Sequence, residues 1–180
     1  QRSLAEVDKQ RPRRLIIDLR FNYGGDGSKA TAIIHEFIRR EGDRPWKELY
    51  LLTGPRTNGA AMSLISAFLR NTPVSIVGEP TGTALNTVSD TETYGFPDIG
   101  LKQNVTAVRA FMSDETDLTD TLQVNYPAPM SFADYVAGRD PALDPILAGE
   151  ERRSLTVIAR ADGGAAMRKA YEARKALREA

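Results

Sequence analysis

The sequence has no cysteine, a single histidine and a single tryptophan in 180 residues. The missing thiols exclude disulfides, thiolate nucleophiles and zinc–thiolate sites, while leaving the redox compartment open. Charge of one sign is lacking too. The 24 Lys and Arg are matched by 24 Asp and Glu, so no excess exists to grip a phosphate backbone or an anionic lipid surface, and nucleic acid is not an expected partner. No run reaches the roughly 18 apolar residues that a membrane-spanning helix needs, and none is expected. No signal-like leader opens the chain, and Gln1 reads as a cut within a larger protein. What remains is 41% apolar and 27% charged, the make-up of an ordinary folded domain and neither a disordered nor a collagenous chain.

Periodicity then divides the chain. Ser3 to Gln10 reads as the end of a helix with Leu4 and Val7 on one face. Leu15 to Leu19 is short, continuous and β-branched, as expected of a strand buried on both sides of a parallel sheet. A helix is expected from about Ser28 to Gly42, with Ala30, Ile33, Ile34, Phe37 and Ile38 forming one buried stripe. The unit recurs: Leu49 to Thr53 is a second buried strand, Gly54-Pro55 a turn, and Ala60 to Leu69 a helix with Ala61, Leu64, Ile65 and Phe68 inward. Val74 to Val77 is a third strand, followed by hairpins out to Gly100 and a further strand over Val105 to Met112. Strands alternating with helices predict an α/β core built on a mainly parallel sheet. The proline-rich stretch after Asp114 predicts an extended strap over the domain, and Ala165 to Ala180 a helix with a narrow apolar stripe. Residues 1–148 are thus expected to form the core, and 149–180 a helical tail.

Two segments could carry chemistry. Asn22-Tyr23-Gly24-Gly25-Asp26-Gly27 follows a strand and precedes a helix, so unpaired N–H groups gather there and Gly24 and Gly25 could hold an anion. A tight turn or plain helix start would look the same. The spacing fits neither the G-x-x-x-x-G-K-[ST] nor the dinucleotide fingerprint. The second segment, Arg56-Thr57-Asn58-Gly59-Ala60-Ala61, also runs from a strand end into a helix.

The run from Arg14 through Asp18-Leu19-Arg20-Phe21-Asn22-Tyr23-Gly24-Gly25 resembles the "DLR-x-N-x-G-G" signature of the C-terminal processing (tail-specific) serine peptidases, a family that includes tricorn-like proteases and interphotoreceptor retinoid-binding modules. Leu51 to Met62 resembles the family's second strand and "T-x-S-A-A" helix start, and Val77-Gly78-Glu79-Pro80-Thr81-Gly82 its "V-G-E-x-T" segment. Asp134-Tyr135 and Gly138-Arg139-Asp140-Pro141 resemble the terminal strap of bacterial members. The resemblance covers roughly Arg11 to Leu147 and implies a Clp-protease/crotonase-like core, proteolysis by a serine nucleophile, and an extracytoplasmic or periplasmic location.

Carried over residue by residue, it assigns Gly24, Gly25 and the amide of Ala60 to an oxyanion hole; Glu79, at a strand end near that site, is a catalytic candidate whose plainer role is to hydrogen-bond its loop. The nucleophile position falls on Gly59, which has no side chain, and the dyad-lysine position falls on Ala84. Ser63 shares Gly59's helix face but sits one turn, roughly 5 Å, deeper. Thr57 and Asn58 read as helix caps, His35 as a solvent-side residue and Lys29 as a solvated surface charge. Asp114, Glu115, Asp117 and Asp120 lack the spacing of a calcium loop and read as a solvated turn. No metal and no cofactor is expected. The chain therefore reads as a serine-peptidase domain that is inactive as it stands, the alternative being a noncatalytic module for a peptide or apolar ligand. The partners implied are a peptide or protein C-terminus, an N-terminal region of the same protein, and a second copy through the stripe of Met167, Ala170, Tyr171, Ala173 and Leu177.

Overall fold

The β-branched run that opens the sequence's first strand–helix unit becomes strand β1 (Arg14–Asp18), joined in parallel by β2 (Glu48–Thr53) and β3 (Val74–Gly78). The computed structural model describes the backbone of residues 2–150 and 152–179, and their side chains apart from 2, 3, 89, 90, 107, 109, 161 and 174–179. The sheet order is β1-β2-β3-β6, where β6 (Tyr126–Pro127) pairs in parallel with the end of β3. Part of the stretch expected as a loose strap is therefore fourth-strand sheet. Every residue of β2 and β3 is buried, whereas β1 is half-buried because it is an edge strand.

Period-two alternation splits the strand side chains between two cores. Leu49, Leu51, Val74 and Ile76 face helices α2 (Ser28–Arg39) and α3 (Ala60–Asn71), which contribute Ile34, Phe37, Met62, Ile65 and Phe68. Phe37 lies tilted at 5.0 Å from Trp46 and edge-on at 4.8 Å to Phe68, the latter a geometry that aromatic quadrupoles favour. Tyr50, Leu52 and Val77 face the opposite way, onto Ala142, Leu143 and Ile146 of the C-terminal segment. The sheet thus lies between a helical layer and the strap, which includes α4 (Phe132–Val136) and α5 (Asp144–Leu147). Fold class α/β with a mainly parallel sheet holds.

Several expectations need correction. In α2 only Ala30, Ile34 and Phe37 are buried; Ile33 and Ile38 lie on the rim and are exposed, and the helix ends at Arg39 in a 3-10 turn over Glu41–Asp43 rather than at Gly42. The two elements expected around Gly100 are one antiparallel ribbon of β4 (Thr87–Phe96) and β5 (Leu101–Ala110), separate from the main sheet. The C-terminal helix α6 spans Leu155–Glu179 and is interrupted by the non-helical Gly163 (φ 85°, ψ 170°). Its first turns are docked on the domain: Val157 and Ile158 are buried, and the Ser154 N–H donates to Ser75 Oγ at 2.7 Å. The Leu177 side chain lies outside the described residues. Among the described residues no helix is long and apolar enough to cross a membrane.

Candidate active site

Parallel strands that end in register must turn together, so the loops after β1, β2 and β3 collect at the carboxyl edge of the sheet. Specific bonds fasten them. The Leu19 N–H donates to Leu52 O at 2.9 Å and the Asn58 N–H to Asn22 O at 3.0 Å, tying the first loop to the second. The Glu79 N–H donates to Thr53 O at 3.1 Å and the Gly82 N–H to Thr57 O at 3.1 Å, tying the third to the second. Thr57 is the hub. Fully buried, its hydroxyl donates to Leu19 O at 2.8 Å and accepts from the Gly54 N–H at 3.1 Å. The expectation that Thr57 or Asn58 caps α3 fails, because the N-cap residue is Gly59 and no side chain caps the helix.

Gly24 and Gly59 meet backbone to backbone. A Cβ on Gly24 would lie 2.8 Å from the Ala60 nitrogen and 3.0 Å from Gly59 Cα, while one on Gly59 would lie 3.2 Å from Tyr23 O and 3.3 Å from Gly24 Cα. Both residues, and Gly25, have positive φ (101°, 57° and 130° respectively). Here glycine is demanded twice, by dihedral and by space. Gly59 is exposed at the surface of the junction, and Ala60 begins the 12-residue α3, whose first amides point out of the helix. Among the described residues the N–H groups of Gly25 and Ala60 have no acceptor, whereas the Gly24 N–H donates to Asn22 Oδ1 at 2.9 Å. Beside the junction Phe21 and Tyr23 are 68% and 62% exposed, with the Arg56 guanidinium 5.9 Å above the Phe21 ring.

The other sequence candidates are dispersed. Ser63 is half-buried inside α3, His35 is exposed on α2, and Lys29 is exposed at the start of α2. Glu79 is half-buried and held through its backbone, accepting from Thr53 Oγ1 at 2.9 Å as well as donating. Ala84 is half-buried in the loop before the ribbon. Asp114 and Asp117 accept bonds from Thr116 and Thr119, turn geometry that holds both carboxyls below their ordinary range. Asp26 is lowered likewise by the Ser28 hydroxyl and amide.

Motif matching missed an ionic tie between the first loop and the strap. Arg20 bonds both Asp18 oxygens (Nη2–Oδ2 2.6 Å) and reaches Asp140 Oδ2 at 2.7 Å. Asp140 Oδ1 in turn accepts from the amides of Ala142 and Leu143. Partial burial raises the Asp18 carboxyl, but the Arg20 side chain, amide and charge together outweigh it and hold the group below the ordinary carboxylate range. Both ends of this tie stand inside recognised motifs; the pairing across 120 positions is a property of the fold.

Neither any protein-family model nor any curated protein matches the sequence. Among solved structures, the chain is similar to one described as a "putative S41 protease" from Bacteroides fragilis, with TM-score 0.55 and 15% identity over 80% of this chain and 44% of that one. It is also similar to a "putative peptidase" from Parabacteroides merdae, with TM-score 0.52 and 13% identity over 84% of this chain and 54% of that one. This chain spans about half the length of either structure, and what it shares with them is the α/β fold.

Proposed function

We propose that this chain is a serine-peptidase-type domain whose nucleophile position is held by Gly59, so that it retains backbone anion-binding groups without hydrolytic chemistry. The close approach of Gly24 to Gly59 and Ala60 is the observation that carries this reading. The Gly25 and Ala60 N–H groups belong to these two loops, where the resemblance implies an oxyanion hole, and Ala60 stands at the N-terminal end of the α3 dipole. Hydrolysis needs more than a hole: a hydroxyl must attack a peptide carbonyl while a base takes its proton. Gly59 supplies no hydroxyl, Thr57 Oγ1 is buried and fully used, and Ala84 stands where the dyad lysine is expected. Loss of a nucleophile costs a serine protease on the order of 10⁶ in turnover, about 8 kcal/mol of transition-state stabilisation.

A second reading, a module that binds a peptide C-terminus, is favoured by the exposed Phe21 and Tyr23 rings flanking the free amides. A carboxylate has the negative charge that unpaired N–H groups near a helix N-terminus accept. Two measurements test the pair. The chain is expected to give no stoichiometric adduct with a fluorophosphonate probe; an adduct mapped to Ser63 or Thr57 overturns the assignment of Gly59. In amide chemical-shift titrations, peptides with a free C-terminal carboxylate are expected to move Gly25 and Ala60, and C-terminally amidated peptides are not. Equal responses would remove the carboxylate reading.

A further inference from the structure

At the amino ends of the strands, opposite the glycine junction, two cavities of about 640 and 300 Å³ adjoin. They share Glu41 and Arg44; the larger adds Trp46 and Lys47, the smaller Arg70 and Arg160. Their positions follow from the topology, since Trp46 and Lys47 immediately precede β2 and the smaller cavity includes Thr72 and Pro73 just before β3. Arg160 arrives from the docked first turns of α6.

Two polar atoms here are buried without partners: Trp46 Nε1, on a side chain only 3% exposed, and Glu41 Oε2. The other Glu41 oxygen lies 3.5 Å from Arg44 Nε, a pairing too long to be a good hydrogen bond. Buried donors and acceptors are almost always satisfied, and since each of these two atoms has under 1 Å² of accessible surface, a partner reaches them only when the Glu41 and Arg44 side chains, 36% and 26% exposed, shift. Around them the charges are mixed. The larger cavity is also lined by Asp43, Glu48 and Asp162, which are paired with Arg11, with Arg13 and Arg14, and with Arg153, whereas among the described residues Lys47 and Arg160 have no carboxylate partner, so a simple cation meets unpaired positive charge. A simple anion meets the Glu41 carboxylate. A small molecule carrying both an ammonium and a carboxylate meets neither objection, because its ammonium can donate to Glu41 while its carboxylate accepts from the Trp46 indole and the basic side chains. The larger cavity falls within the size range of small-molecule sites, roughly 300–1,000 Å³.

We propose that this cleft binds a small zwitterion of the α-amino-acid class. It is separate from the glycine junction, and the proposal does not depend on the peptidase reading. Trp46 is the chain's only tryptophan, so its fluorescence reports the site directly. The experiment titrates the full chain with the twenty amino acids, each bound candidate being compared with its N-acetyl and its methyl-ester derivatives. A saturable change in Trp46 emission is expected for at least one zwitterion, with affinity weakened at least about tenfold when either charge is blocked, the loss expected of one charge-assisted hydrogen bond. Glu41→Gln, which keeps the shape of the side chain, is expected to weaken binding of the zwitterion by a similar factor while leaving the N-acetyl derivative unaffected. Should that variant fail to fold, the comparison of blocked and unblocked ligands on the unaltered chain still decides. Absence of any saturable response below about 10 mM, a range that covers even weak recognition, overturns the proposal and leaves water as the occupant. Equal binding of the blocked derivatives overturns it as well.

Discussion

Gly24, Gly25 and Gly59 share positive φ but differ in what surrounds them, and that difference makes their substitution a graded test of the junction. A methyl group on Gly24 would press on main-chain atoms of Asn58, Gly59 and Ala60 at 2.8–3.0 Å, and backbone cannot step aside cheaply. On Gly59 the nearest atoms are at 3.2 and 3.3 Å, and on Gly25 nothing lies within 4 Å. Left-handed or otherwise unfavourable dihedrals alone cost about 1–3 kcal/mol for a residue with a side chain. Gly25→Ala is therefore expected to lose about that much, Gly59→Ala slightly more and Gly24→Ala the most, as read from urea midpoints at constant m value. A flat ranking would mean that the two loops do not touch in solution. The same contacts bear on the missing hydroxyl. Gly59→Ser is expected to destabilise the fold without creating a reactive serine, because Ala84 holds the position that the resemblance assigns to the dyad lysine. Sequence reading placed these glycines in two loops, but their contact belongs to the folded chain, as does the burial that makes Thr57 a hub instead of a cap.

Among elements, the strap shows how ionic contacts can hold a loop that carries no regular structure. Arg20 spans from Asp18, at the end of β1, to Asp140, ahead of α5, so that the first loop and the strap are tied to each other. Its guanidinium is raised well above its ordinary pKa, first through the Asp18 hydrogen bonds, and stays charged at every accessible pH. Asp18 is the partner that titrates. Its folded pKa lies below the unfolded one, so its contribution is present above about pH 4 and is lost as pH falls through the folded value. Replacing Arg20 by Met removes the cause of the depression. The unaltered chain is expected to lose stability more steeply than Arg20→Met between about pH 4 and pH 2 in urea titrations, the two curves running parallel above pH 5. Identical slopes in the acid range would show that the ion pair is solvated away.

Element type was legible wherever one periodicity ran for several residues. Leu49 to Thr53 and Ala61 to Phe68 have patterns that only a buried strand and a one-sided helix satisfy, and they sit as expected. Ile33 and Ile38 were misread as core because a helix at the edge of its layer presents a narrower face than its apolar residues allow. The ribbon of β4 and β5 was only half legible, since a polar alternating stretch does not say whether its partner is a neighbouring turn or the main sheet. Short β6 gave no signal at all: two residues cannot show a period, and register with Val77 and Gly78 is set by the Asn125 side chain accepting from the Ile76 N–H at 2.8 Å. Asn22, Tyr23 and the glycines after them marked a loop of unusual dihedrals that could hold an anion or simply turn, whereas the orphaned Trp46 and Glu41 had no sequence mark because burial without a partner is a fact of three dimensions.

At the scale of the whole molecule, the C-terminal helix divides at Gly163 into parts with different duties. Val157 and Ile158 are buried and Ser154 bonds Ser75, so the turns before the break are anchored to the sheet layer. Beyond it the described side chains are exposed or half-buried, with Tyr171 50% exposed and Met167 half-buried. At about 25 cal/mol per Å² so narrow a stripe supplies a few kcal/mol at most, which suits a peripheral contact or a meeting of two copies better than a core role. Gly163 therefore marks the place to cut. Deleting residues 163–180 is expected to leave the main thermal transition within a few degrees of the full chain, whereas deleting residues 155–180 removes Val157 and Ile158 and should lower it by more, at about 1–3 kcal/mol for each buried side chain lost. Sedimentation of the two shortened chains separates the remaining possibilities. Self-association that is present in the full chain and absent from the 163–180 deletion assigns it to the stripe, and association that survives the deletion removes the stripe from any dimer contact.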